Sequence, residues 1–210
     1  MTRTLFAVLA DNGIIREIVR KLAIRHEHAI LAFVTKRFRI TRIISGGQTG
    51  ADQGGLLAAQ ELGIATGGTA PQGWLTETGA HAAHLRSFGL TECAEPGYPA
   101  RTRKNVLDAD GTLLVGPYRS GGSALTAKLA KEAAQPLLHT AFVAGAIISP
   151  NDDRIEEFRY WLQRYEIHIL NVAGNRETQS PGIQEFTRAF LRAALTGSSG
   201  NTLVEPNQSR

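Results

Sequence analysis

The chain has 210 residues, 42% hydrophobic and 20% charged, a size and balance that suit one domain with an appendage and exclude wholesale disorder, a collagen-like repeat and a coiled coil. The net charge of +4 is uneven: residues 1 to 42 hold nine Lys/Arg against three Asp/Glu, a local +6, so the remainder carries −2 and lacks the basic surplus expected of a nucleic-acid-binding domain. A single cysteine, Cys93, excludes an internal disulfide and a multi-thiolate zinc site, and no stretch reaches the roughly 18 apolar residues of a membrane span, so the expectation is a reduced, cytoplasmic protein that engages neither membrane nor nucleic acid.

Residues 1–39 read as an N-terminal amphipathic helical extension, because Leu5, Phe6, Val8 and Leu9, then Ile14, Ile15, Ile18, Val19 and Leu22, recur at helical spacing around Arg16, Arg20 and Lys21. Such a face docks a partner or a membrane surface, or packs on the main domain. Asp11, Arg16 and Glu17 break the apolar content that a signal peptide requires.

From Ile40 the pattern alternates. Ile40 to Ser45 is a β-branched apolar run ending at Gly46-Gly47, and Ala51 to Leu62 is a helix stopped by Gly63. Ile64 to Gly67 is a second strand, Gly68 to Thr78 a turn-rich stretch, Ala80 to Phe88 a short helix, and Leu90 to Glu95 a third strand. Ala100 to Ala109 is helical, Thr112 to Val115 is a fourth strand, and Ser123 to Ala134 is the next helix. Pro136 to Phe142 is a fifth strand, Asp152 to Tyr165 a helix, Ile167 to Val172 a sixth strand, and Pro181 to Leu195 a Pro-started helix. Strands alternating with helices imply right-handed crossovers and a mainly parallel sheet covered on both faces, a Rossmann-like three-layer α/β/α sandwich over residues 40–195. Residues 196–210, rich in Gly, Ser, Asn and Pro, read as a flexible tail.

In an open parallel sheet ligands bind beyond the carboxyl ends of the strands, which directs attention to the turns after strands one, four and six. The first turn, Gly46-Gly47-Gln48-Thr49-Gly50-Ala51-Asp52, combines three glycines with a following helix N-terminus and reads as a phosphate cradle or as a tight turn capped by Thr49 or Asp52. It is neither a Walker A loop nor a full GxGxxG. The second, Gly116 to Thr126, repeats a glycine pair, Gly121-Gly122, at a helix mouth, with Ser123 and Thr126 adding hydroxyls, Arg119 a cation and Tyr118 a stacking face. The third, Ala173 to Gly182, is polar and reads as rim or lid. His81 and His84 stand at metal-ligand spacing but lack a third ligand nearby, so no metal is expected. Cys93 reads as a small buried apolar residue.

Four ordered motifs together resemble the molybdenum-cofactor carrier family, within the Rossmann-like superfamily of the lysine-decarboxylase-like phosphoribohydrolases. They are the first glycine loop, Gly67-Gly68 with Pro71 and Gly73, Arg101-Thr102 with Asn105-Val106, Asp108 and Asp110, and Gly121-Gly122-Ser123-Ala124-Leu125-Thr126. The resemblance spans residues 40 to 195 and implies a pocket for a phosphorylated pterin or nucleotide-like ligand, in the first instance the molybdenum cofactor, and a homo-oligomer, dimer or tetramer. Gly46, Gly47, Gln48, Thr49, Gly50 and Asp52 would hold one anionic group, Gly121, Gly122, Ser123 and Thr126 a second, with Arg101, Asn105 and Arg119 orienting it.

The superfamily's enzymes carry Pro-Gly-Gly-x-Gly-Thr-x-x-Glu at the second loop, and its Glu helps cleave an N-glycosidic bond. Matching that motif here puts Ser120 for Pro, Leu125 for the later Gly and Leu129 for Glu, so the key carboxylate is missing and binding without turnover is expected. Asp52 and Glu77 are the weak candidates to replace it, Glu77 being also a plausible solvated side chain. The other expectations kept open are a hydrolase of a nucleotide-derived ligand and a nucleotide-signal sensor that uses residues 1–39.

Overall fold

The computed structural model describes residues 39–149 and 152–196; the helical extension and the tail read from the sequence lie outside them. Eight strands and six helices follow one another among the described residues. They are β1 (Arg42–Ile44), α1 (Ala51–Glu61), β2 (Ala65–Ala70), β3 (Leu75–Thr76), β4 (Gly79–Ala80), α2 (Ala82–Ser87), β5 (Leu90–Glu92), α3 (Tyr98–Leu107), β6 (Gly111–Val115), α4 (Gly121–Glu132), β7 (Leu137–Thr140), α5 (Asp153–Arg164), β8 (Ile169–Gly174) and α6 (Ile183–Thr196). A single 3-10 turn, Gln72–Trp74, leads into β3.

Six strands form one sheet in the order β5-β2-β1-β8-β6-β7, with every neighbouring pair parallel. The last strand among the described residues therefore lies at the centre, paired with β1 through Arg42 opposite Ile169 and with β6 through Gly111 opposite Leu170. All five residues of β6 are buried, as a strand covered on both faces requires.

One face is closed by α1, α5 and α6 around Ile43, Leu113, Leu170 and Val172 of the sheet, with Ile155, Phe158, Leu162, Ile183, Phe190 and Leu191 supplied by the helices. Phe190 meets Phe158 edge-on at 5.5 Å between ring centroids. Helix α1 lies deep between β8 and α6, where Gly55 faces the Val172 side chain and Gly54 the Gln184 carbonyl at separations that leave no room for a Cβ. A smaller cluster holds Val106 of α3 against Leu129 and Ala130 of α4. A third gathers Leu56, Ala70, Trp74, Leu85, Phe88 and Leu90 at the β5 edge. Helix α5 begins at Asp152, whose side chain accepts from the Arg154 amide at 3.0 Å and satisfies one free donor of the first turn.

The Rossmann-like sandwich expected from the alternation is present, and the strand and helix ends differ from the expected bounds by a few residues. Two features differ in kind. The stretch expected as turn-rich continues β2 to Ala70 and then forms the two-stranded antiparallel hairpin β3–β4, in which Leu75 pairs with Ala80. Glu77 sits in its turn.

Candidate functional site

Running outward from β1 and β6, the chain fills the two halves of the sheet, and β8 returns between them. The loops leaving β1, β6 and β8 thus meet at the sheet's carboxyl edge, the switch point at which open α/β sheets bind ligands. A cleft of about 760 Å³ opens there, between these loops and the N-terminal turns of α3 and α4.

The first glycine loop is folded in on itself. The Gly47 amide donates to Ser45 Oγ at 3.4 Å, Gln48 to Asp52 Oδ2 at 3.2 Å, Thr49 to Gln48 Oε1 at 3.1 Å and Gly50 to Gln184 Oε1 at 3.3 Å. The Ala51 amide donates to the Asn175 carbonyl, and those of Gln53 and Gly54 to carbonyls of the loop itself. These donors are spent within the protein, so the loop does not present the row of open amides expected of a phosphate cradle. Only Gln48 and Asp52 of this segment reach the cleft. Gly47 instead faces Leu85 and Leu90, and the Thr49 hydroxyl donates to the Glu77 carboxylate.

Asp52 is 4% exposed and forms the floor with Arg101, whose Nη1 lies 3.5 Å from Asp52 Oδ2. Burial pushes the Asp52 carboxyl above its ordinary value, and the Arg101 charge and the hydrogen bonds from Gln48 and Ser45 recover only part of that shift. Gly46 explains how Arg101 gets there. A Cβ at this position would lie 1.5 Å from Arg101 Nη1, so the missing side chain is the seat of the guanidinium.

The second loop is open. Ser120 precedes α4 in extended backbone and puts no side-chain cap on the helix, while Ser120, Gly121, Gly122 and Ser123 all line the cleft. A helix of 12 residues thus turns its first amides and the positive end of its dipole into the site. Thr126 also lines the cleft, its hydroxyl donating to the Gly122 carbonyl at 3.0 Å.

The third loop, expected as rim or lid, is a full wall: Gly174, Asn175, Arg176, Gln179 and Ser180 face the cleft. Asn175 ties three elements together, accepting from Ala51 and donating to the Val115 carbonyl through its backbone. The Arg176 and Arg101 guanidinium groups pack against the Tyr98 ring, 5.3 and 5.8 Å from its centroid, so two cations flank one aromatic in the cleft wall. Tyr98 is a lining residue that sequence reasoning missed, while Asn175 and Arg176 lie in the polar turn read as rim or lid but were not named as binding residues.

Three other expected residues are placed elsewhere. Asn105 is buried and its carboxamide is fully engaged by β2, with Oδ1 accepting from the Thr69 amide at 2.8 Å and Nδ2 donating to the Thr69 carbonyl at 3.0 Å. Arg119 is exposed and is not part of the cleft lining. Glu77, a solvated side chain on one expectation, is half-buried and accepts from Thr49 and from the Thr178 hydroxyl and amide, while its own amide donates to Gln48 Oε1 at 2.8 Å. Burial opposes its charge, but the Thr178 and Thr49 hydrogen bonds and the nearby Arg176 hold the carboxyl below its ordinary value. It fastens loops together outside the cleft lining.

Leu129 is buried against Val106 and Ala130. Counting from Gly121-Gly122 without a gap puts Lys128, not Leu129, at the enzyme Glu position; Lys128 pairs with Glu132 at 3.7 Å on the surface. In either register α4 offers no carboxylate there, and Asp52 is the one carboxylate among the residues lining the cleft. His81 Nε2 lies 2.9 Å from the Thr78 hydroxyl, His84 packs edge-on against Phe88, and among the described residues no group of three metal-ligating side chains occurs. Cys93 is buried. No helix among the described residues is long and apolar enough to cross a membrane.

A parallel α/β sandwich with a glycine-lined cleft at its switch point belongs to the class of Rossmann-like domains. Residues 43–195 match the model of the circularly permutated YpsA SLOG family, and the chain belongs to that family. It is also similar to the crystal structure of the "putative molybdenum carrier protein" of Syntrophus aciditrophicus SB, with 39% sequence identity and a TM-score of 0.67 over 74% of this chain and 95% of that one. No curated protein matches the chain.

Proposed function

We propose that this protein binds and carries a small phosphorylated ring ligand, of the pterin or nucleotide kind, in the switch-point cleft and does not turn it over. The carrying observation is the uncapped N-terminus of α4, with Gly121, Gly122 and Ser123 facing a cleft that also holds Arg101 and Arg176. Backbone donors, a helix dipole and two guanidinium groups are suited to a phosphate, and they act without the side-chain ligands that a bare metal ion needs. The likeness to a molybdenum carrier protein supports the molybdenum cofactor as the cargo. The polar groups present suit it: the N-terminus of α4 and Arg176 match a phosphate, and the unpartnered side-chain donors of Gln48 and Arg101 match acceptors on a ring. The proposal of binding without turnover is supported by Asp52, which is buried against Arg101 and is the one carboxylate among the described residues that line the cleft.

Native mass spectrometry of the purified full chain, followed by identification of released small molecules and a molybdenum assay, tests this reading and counts the subunits of the proposed homo-oligomer. A pterin phosphate or stoichiometric molybdenum is expected. An empty protein that consumes nucleoside monophosphates overturns it.

One observation favours a second reading. Burial raises the Asp52 pKa, a state suited to an acid in a hydrolase of a nucleotide-derived ligand. Asp52→Asn separates the two: a hydrolase loses turnover and keeps binding, whereas a carrier has none to lose.

A further inference from the structure

Gln48, which lines the floor of the cleft, carries a donor that the fold has oriented and left without a partner. Gln48 is 5% exposed and lines the cleft. Its Oε1 accepts two backbone N–H groups, from Thr49 at 3.1 Å and from Glu77 at 2.8 Å. Those bonds decide which end of the carboxamide is oxygen, because a flipped amide would set its NH2 against two N–H donors. The remaining end, Nε2, is buried and meets no acceptor among the described residues. Arg101 Nε, on the same floor, is in the same condition. A buried donor without a partner is costly, and a bound group that accepts from it recovers that cost.

The group that accepts is not the phosphate. Asp52 lies beside both residues, its Oδ2 bonded to the Gln48 amide and 3.5 Å from Arg101 Nη1, and a carboxylate repels a dianion. The phosphate is better placed at α4, which leaves the neutral end of the ligand for the floor.

We propose that Gln48 is the specificity-determining residue of the cleft, and that its fixed Nε2 donor selects ligands whose ring presents a carbonyl oxygen over those whose ring presents an amino group. The inference rests on the reading of the cleft as a phosphate-and-ring site and names the ring class. Oxo-purines and oxo-pterins share the required acceptor; adenine offers an amino group in its place, which would leave two donors facing each other.

The test is calorimetric titration of the full chain with inosine 5′-monophosphate, adenosine 5′-monophosphate and purine riboside 5′-monophosphate, which share the ribose phosphate and differ in the group at ring position 6 and in whether N1 carries a hydrogen, and with ribose 5-phosphate, which has no base. Inosine monophosphate is expected to bind at least about tenfold more tightly than either other nucleotide. Gln48→Glu keeps an acceptor for Thr49 and Glu77 but replaces the donor by an oxygen, and the inosine-to-adenosine preference is expected to vanish or invert. Should that variant fail to fold, the three nucleotides on the wild-type chain still decide. Ribose 5-phosphate binding with equal affinities for the three nucleotides overturns the assignment of Gln48 and leaves the phosphate site standing. Failure of all four to bind overturns the phosphate site and this inference with it. A wild-type preference that survives Gln48→Glu overturns the role of Gln48 alone.

Discussion

Gly46, just after β1, and Gly174, at the end of β8, lack a side chain for different reasons. An added Cβ at Gly46 meets only the far end of Arg101, a flexible chain, whereas at Gly174 it falls 2.3 Å from the Val115 carbonyl oxygen and 2.7 Å from Ala51 Cβ, both fixed by the core. Gly46→Ala is therefore expected to fold while displacing Arg101, so that affinity for inosine monophosphate falls about tenfold or more. Gly174→Ala is expected to cost at least about 2 kcal/mol through overpacking. Thermal melts and calorimetry on both variants check this, and an early-melting Gly46→Ala with unchanged affinity would remove Arg101 from the ligand set. Asp52 adds a pH effect of definite sign. Its folded pKa lies above the unfolded one, so the folded chain holds an extra proton between the two values, and stability falls as pH rises through that window, which opens near pH 4. Asp52→Asn is expected to flatten the stability profile there, as read by urea titrations at a series of pH values; an unchanged slope would mean that another group sets it.

At the scale of elements, the β3–β4 hairpin acts through one carboxylate. Glu77 in its turn accepts from Thr49 of the first glycine loop and from Thr178 of the β8–α6 loop, and so joins three segments distant in sequence. Its pKa is depressed, so its contribution is complete above the unfolded value and is lost as pH falls through the lower folded one. Glu77→Gln is expected to cost about 1 kcal/mol at neutral pH, a modest figure because the site is partly exposed, and the gap to wild type is expected to close on acidification below about pH 4. A gap that persists in acid would show that shape rather than charge holds the hairpin. This hairpin was not legible in the sequence, since strands of two residues carry no periodicity. Strands β1, β6, β7 and β8 were legible because apolar residues dominate them between glycine or proline punctuation, whereas β2 and β5, with the sequences ATGGTA and LTE, were marked by little more than their neighbouring helices and turns. The order of the strands was not legible, because nothing local in Ile169–Gly174 says that the last strand enters the middle of the sheet. The first glycine loop was legible as a turn and misleading as a cradle: Ser45, Gln48, Asp52 and Gln184 occupy its amides, and only the folded backbone reveals that. The β8–α6 wall has the opposite history, a polar segment whose importance depends on topology.

For the whole molecule, the decisive fact is that the cleft is built on the central strands. Loops from β1, β6 and β8 line it, and those strands carry the main core on one face. A ligand there binds only the folded chain, and at a concentration 100 times its Kd it stabilises that chain by about 2.7 kcal/mol. For a domain of this size the expected rise in melting temperature is about 5–10 °C. Two tryptophans, the full complement of the chain, allow the unfolding unit to be mapped. Trp74 is buried in the edge cluster beside the hairpin, and Trp161 is buried on α5, next to Phe158 in the main core. If the cleft loops melt together with the sheet, inosine monophosphate must raise both transitions equally, in single-tryptophan variants made by Trp74→Phe and Trp161→Phe. If the loops open as a separate low-stability unit, the ligand must shift the Trp74 transition and leave Trp161 where it was. The shared core favours the first outcome, because Ala51 at the start of α1 packs in the same cluster as Val172 of β8 and Trp161 of α5. A cleft that cannot open without disturbing that cluster would hold its ligand with the stability of the whole fold, which suits slow release and long retention.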